Sequence, residues 1–222
     1  MKPYCRPDLN YKGFAMSFEL WFSFTLASMA ILAIPGPTVI LIVSYALGQG
    51  RRTGLATVPG VVLGDFTAMT ISLLGAGAIL AASATLFTIL KVCGAAYLVW
   101  LGIKLWRAPV SVGGQAMGPA TTRDARSLFL NAYVVTALNP KGIVFFVAFV
   151  PQFVDTGAPV FAQFALLEAT FLGLAAINSA AWALAAGQLN GTFQSVPLRR
   201  LINRISGTFL CAAGALTAMV RQ

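Results

Sequence analysis

Three ionisable side chains fall where the surrounding sequence offers no water. Asp65 follows Gly60-Val-Val-Leu-Gly64, Lys141 follows Asn139-Pro140, and Glu168 lies in the apolar run from Val160 to Gly187. A charge at the centre of a bilayer costs several kcal/mol, so each should have a partner or a task. An acid and a base at similar depth can neutralise one another, carry a proton, or hold the two ends of a zwitterion. Two backbone breaks accompany them, Pro35-Gly36-Pro37 and Asn139-Pro140. Proline lacks an N–H and its ring clashes with the preceding turn. Such a break inside a membrane is tolerated only where the backbone faces protein or a water-filled cavity. A half-helix starting after Pro37 would aim its free N–H groups into that cavity, which suits a carboxylate. Asn139-Pro140 could do the same from elsewhere in the chain. The substrate-binding candidates are therefore Pro35, Gly36, Pro37, Asp65, Asn139, Pro140, Lys141 and Glu168, with Asp65 as the proton-coupling group. The competing reading of each break is a kink without a ligand, and of Glu168 an acid facing the membrane interface.

The composition explains why these charges stand out. Of 222 residues, 58% are hydrophobic and 9% charged, and the mean hydropathy is +0.82. Soluble domains carry about 25% charged residues. An ordinary soluble enzyme, a disordered chain and a nucleic-acid binder are excluded, and the partner implied is a lipid bilayer. The absence of histidine removes Ser-His-Asp triads, His-ligated zinc and His-ligated haem. Cys5, Cys93 and Cys211 form no CxxC, so neither a disulfide framework nor a thiol relay is expected. No cofactor and no metal site is expected either.

Runs of about 20 apolar residues read as membrane-spanning helices. Six are expected, near 18–47, 55–80, 86–106, 128–153, 160–187 and 201–220. The fold class is thus an all-α integral membrane protein. The stretch 107–127 has the Gly, Pro and small polar residues of a flexible linker. Arg51 and Arg52 follow the first run, Arg107, Arg123 and Arg126 the third, and Arg199 and Arg200 the fifth. The positive-inside rule puts these loops in the cytoplasm and both termini outside. The formal charge of +9 is then a topology signal. Lys2, Arg6 and Lys12 conflict with that side, and Met16-Ser-Phe-Glu reads as a natural start. Residues 1–15 are accordingly expected to be an N-terminal extension and 16–222 one transporter domain. A cleaved signal peptide is the rival reading of the N-terminus.

The two halves share a pattern. Pro140 follows Pro35 by 105 residues, Glu168 follows Asp65 by 103, and Arg204-Ile-Ser-Gly207 follows Lys91-Val-Cys-Gly94 by 113. Three spans per unit make the second copy inverted, an architecture common among secondary transporters. The expectation is two inverted three-helix repeats, about 18–106 and 128–220. Chance recurrence of proline and glycine is the competing account.

Ile34-Pro35-Gly36-Pro37, Gly48-Gln-Gly50-Arg51-Arg52-Thr-Gly54, Lys91-Val-Cys-Gly94-Ala-Ala-Tyr97, Leu138-Asn139-Pro140-Lys141 and Phe149-Val-Pro151-Gln152-Phe153 together resemble the lysine exporter family, including its threonine/homoserine efflux branch. The resemblance spans about residues 16–222. It implies a multi-pass permease of the bacterial inner membrane that exports amino acids, driven by the proton motive force. The family's proline motif maps to Pro35, Gly36 and Pro37, its acid in the second span to Asp65, and its Asn-Pro-Lys motif to Asn139, Pro140 and Lys141. The serine often found before the proline motif is Ile34 here. The partners implied are an amino acid and a proton, and a homodimer is compatible with the chain. With one certain acid in the path, neutral amino acids such as threonine, homoserine or leucine are favoured over cationic ones. An inorganic-cation exporter is the alternative, though it would need more converging oxygen or sulfur ligands than this sequence supplies.

Overall fold

The computed structural model describes residues 16–107, 124–155, 157–186 and 196–219. The proposed extension 1–15 and most of the expected linker lie outside the described residues. Among the described residues every regular element is helical. The helices are α1 (Phe18–Ala33), α2 (Pro37–Gln49), α3 (Arg51–Ala56), α4 (Val58–Ala82), α5 (Ala84–Trp106), α6 (Ala125–Ala137), α7 (Pro140–Val144), α8 (Val160–Ala186) and α9 (Val196–Met219).

Both expected breaks are present. Ser17 caps α1, its hydroxyl accepting from the Leu20 N–H. The helix stops at Ala33, and α2 restarts with Pro37 as its first residue, bent 53° from α1. Proline is well placed there, because the first N–H of a helix has no intrahelical partner. Asp124 caps α6 through the Ser127 N–H. After Asn139, Pro140 opens α7, which passes into a π-helical turn (Phe145–Phe149) and a 3₁₀ turn (Val150–Phe153), and this second pair bends by 42°. The sequence reading expected one proline break in this run and missed the π and 3₁₀ turns beyond it. Pro151, which removes one more backbone donor, is the residue that could have signalled them. Between α2 and α3 the chain turns at Gly50, whose φ of +94° is open to glycine and strained for other residues.

By length and apolarity, α8 and the continuous stretch Arg51–Ala78 can each cross a membrane, and each bent pair can do so if taken as one span. Lipid tails are as apolar as leucine, so helices inside a membrane associate by close packing, which small residues permit. That rule sets the contacts here. A Cβ added to Gly64 would stand 2.8 Å from Thr136 Cβ and 2.9 Å from Tyr133 O, and one on Gly60 would meet Phe129 O and Ala132. α4 and α6 therefore run side by side in the same direction. A Cβ on Gly102 would be 2.6 Å from Gly207 O, and one on Gly214 would be 2.7 Å from Ala95 O. This register makes α5 and α9 antiparallel. The Trp21 indole donates to Thr170 Oγ1 (3.0 Å) and the Asn178 amide to Leu32 O (3.1 Å), so α1 and α8 run parallel.

The buried apolar residues form two clusters. One contains Phe24, Ile34, Met69, Phe145, Phe146 and Phe171. The other contains Ile42, Tyr45, Val61, Leu128, Ala132 and Ala183. The polar interior lies between them.

Candidate functional site

The two breaks meet. Asn139 is the N-cap of α7, its side-chain oxygen accepting from the Lys141 N–H at 3.1 Å. Its amide then donates to Thr38 Oγ1 in the first turn of α2 (3.4 Å), and Thr38 in turn shares a hydrogen bond with Thr136 (3.2 Å). Lys141 reaches back across the other break. Its Nζ donates to Ile31 O at 3.0 Å and Ile34 O at 2.9 Å. These carbonyls belong to the C-terminal end of α1, where partial negative charge collects and acceptors lack helical partners. Lys141 thus caps α1 from a distant segment. Gly36 leaves room for it, since an added Cβ would stand 3.4 Å from Nζ.

Asp65 is buried, at 8% exposure. It lines the same cavity as Gly36, Thr38, Asn139, Lys141 and Asn178. No ion pair joins Asp65 to Lys141 among the described residues. The ammonium is held by carbonyls, while the carboxylate faces the cavity. The expectation that the two neutralise one another directly becomes a looser relation, with opposite charges on one small polar space. The first turn of α2 faces that space through Thr38 and Val39, and no side chain caps α2. The cavity volume is about 40 Å³, room for about three or four waters at roughly 10–15 Å³ each.

The candidates from the sequence do not all converge. Gly36, Asp65, Asn139 and Lys141 line the cavity, while Pro35, Pro37 and Pro140 shape the backbone beside it. Glu168 lies elsewhere on the α4–α8 contact, accepting from Thr70 Oγ1 at 2.6 Å. Three cavity residues with polar side chains escaped the sequence reading, Thr38, Asn178 and Ser179, as did the apolar walls. Asn178 carried a usable signal, a full amide within a long apolar helix.

Phe145 and Phe171 wall the cavity on the side of the first apolar cluster. Their ring centroids are 6.0 Å apart, Phe146 meets Phe171 at 4.9 Å, and Phe149, Phe153 and Phe24 extend the stack. Val61 walls the opposite side, in the second cluster. There Asn131 donates to Tyr45 Oη at 3.1 Å. Ser28, one turn before Leu32, has a fully buried hydroxyl with no hydrogen-bond partner among the described residues.

Broken apolar helices around a small charged cavity, closed on two sides by apolar clusters, define a membrane protein of the transporter class. The sequence profile of the LysE type translocator family matches residues 29–220, and the chain belongs to that family. It is 31% identical over 207 residues to a homoserine/homoserine lactone efflux protein of Salmonella typhimurium, covering 93% of this chain and 100% of the relative. It is also 31% identical to an uncharacterized membrane protein of Vibrio cholerae, with the same coverage. A leucine efflux protein of Salmonella choleraesuis is 30% identical over 139 residues, 63% of this chain and 65% of the relative. No solved structure matches.

Proposed function

We propose that this protein exports neutral amino acids across the bacterial inner membrane, in exchange for protons. One observation carries the reading. A buried carboxylate with no ion-pair partner among the described residues shares a cavity with the N-terminal turn of α2, which has no side-chain cap there. A zwitterion fits that arrangement, its ammonium at Asp65 and its carboxylate at the Thr38 and Val39 N–H groups. With the ammonium gone, Asp65 takes up a proton from outside and releases it inside, which couples efflux to the gradient. Relatives named for homoserine and leucine efflux favour a neutral substrate.

The full architecture in this reading is six spans in two inverted three-helix repeats, with α5 and α9 as the third and sixth. The contacts support it. Leu32 lies three residues before Pro35 and touches α8 at Asn178; Ala137 lies three before Pro140 and touches α4 at Gly64. In the proposed repeat these two positions correspond. The following residues, Asp65 and Ser179, then correspond, and both are buried on the cavity. In this register Asp65 pairs with Ser179 rather than with Glu168. The cavity has room for only a few waters and is too small for homoserine or leucine, so the two apolar clusters part in turn to admit and release one.

The test is efflux of radiolabelled homoserine, threonine and leucine from proteoliposomes under an imposed pH gradient. The wild type should concentrate at least one of them against its gradient. Asp65→Asn should abolish that accumulation. Wild-type accumulation by Asp65→Asn would overturn the coupling role.

A further inference from the structure

We infer that the α5–α9 face carries a binding site for an anionic phospholipid. The inference rests on α5 and α9 being membrane spans, as in the reading above. The close approach of Gly102 and Trp106 to Gly207 brings the last turn of α5 level with the third turn of α9, which carries Arg204. Two cations at that level lie on indoles. Lys104 Nζ is 4.9 Å from the Trp100 ring centroid, and Arg204 Cζ is 5.2 Å from that of Trp106. All four side chains are exposed, as are Arg107 and Arg200 nearby in sequence. Neither α5 nor α9 contains an acidic residue.

Ordinary snorkelling cations sweep freely at the membrane surface. A cation resting on an indole is held at one depth, because the ring face attracts it. Here two such pairs stand on adjoining helices. Beside Arg204 a shallow, open apolar stripe follows Ile205, Thr208 and Ala212 along α9. Leu201 and Ile205 are exposed, and so is Ile103 on α5. A phosphate fits the cations, and an acyl chain fits along the apolar stripe running from them towards the bilayer interior. A zwitterionic headgroup would bring its own ammonium against this unrelieved positive charge, so the lipid selected carries a net negative headgroup.

The test is native mass spectrometry of the full chain released from detergent micelles with phosphatidylglycerol or phosphatidylcholine. The wild type should retain phosphatidylglycerol selectively. Lys104→Gln with Arg204→Gln should weaken that retention by roughly 30-fold, at about 1 kcal/mol per basic residue. Trp100→Leu with Trp106→Leu keeps every charge and should weaken it by about fivefold. Arg51→Gln with Arg52→Gln removes the same charge elsewhere and should leave retention unchanged. Circular dichroism selects folded variants, and Arg204→Gln alone substitutes for a pair that does not fold. Equal retention of the two lipids overturns the inference. So does an equal loss in the Arg51/Arg52 control, or a dimer that buries this face. Transport is not measured, so a chain that exports nothing yet keeps this selectivity overturns the proposed function and leaves the lipid site standing.

Discussion

Lys141 Nζ donates to Ile34 O across 2.9 Å, so the cation of one broken helix terminates the other. The contact ties two segments more than a hundred residues apart in the chain; it gives Ile34 O a partner beside the Pro35 break and, with the Ile31 bond, adds a charged donor to an oxygen that otherwise accepts only the Ile34 N–H at 3.3 Å. Lys141→Met removes both. A hydrogen bond to a charged group contributes about 1.5–3 kcal/mol, and an unpaired carbonyl in a dry site adds to the loss. Thermal unfolding in micelles should show a destabilisation of at least about 2 kcal/mol, and Lys141→Arg should recover part of it. An unchanged melting temperature in Lys141→Met would refute the capping role.

The small residues of α4 divide into two kinds. Gly60 and Gly64 face α6 with no space for a methyl, whereas a Cβ at Gly75 would meet nothing within 4 Å. Gly64→Ala should cost about 1–3 kcal/mol through overpacking. Gly75→Ala should be neutral or stabilise by up to about 1 kcal/mol, because alanine is the better helix former. Parallel melts of the two variants check this, and equal effects would contradict the packing described.

Glu168 bonds to Thr70 and stands apart from the cavity. Glu168→Gln should therefore keep the apparent KM for exported amino acid within about twofold, since the amide can still accept from Thr70. Asn178→Leu should both raise KM and destabilise by about 1 kcal/mol, through loss of the Leu32 bond. Initial-rate efflux measurements separate the two residues. A KM shift larger for Glu168→Gln than for Asn178→Leu would move the binding site away from Asp65.

The aromatic stack from Phe171 to Phe153 seals one side of the cavity. Phe171→Ala should open a void there, destabilising by about 3–5 kcal/mol. Variants that still fold should leak, with passive uptake of amino acid rising several-fold in the absence of a gradient. Tight vesicles containing Phe171→Ala would argue against the seal.

Ser28 is the buried hydroxyl without a partner among the described residues. Ser28→Ala removes that unpaired group at almost constant volume, so stability should rise by about 1 kcal/mol. A drop in melting temperature would mean that the hydroxyl is hydrogen-bonded in the native membrane.

Much of this molecule was legible in its residue order. Apolar runs, two proline breaks and a few charges in the wrong solvent follow from composition and spacing, because a bilayer imposes one severe rule on every backbone and every charge. Asp65, Lys141 and Asn139 were found that way. Partnership was not legible. Whether Lys141 bonds to a carboxylate or to the end of α1, and whether Glu168 or Asn178 reaches the cavity, depends on how helices turn about their axes and slide past one another. Those choices are made by contacts such as Gly64 on Thr136 and Asn178 on Leu32, between residues far apart in sequence. Hydropathy is nearly uniform around a membrane helix, so it carries no record of which face meets which neighbour. Only the packed structure makes that decision, and with it the position of each charge in the cavity.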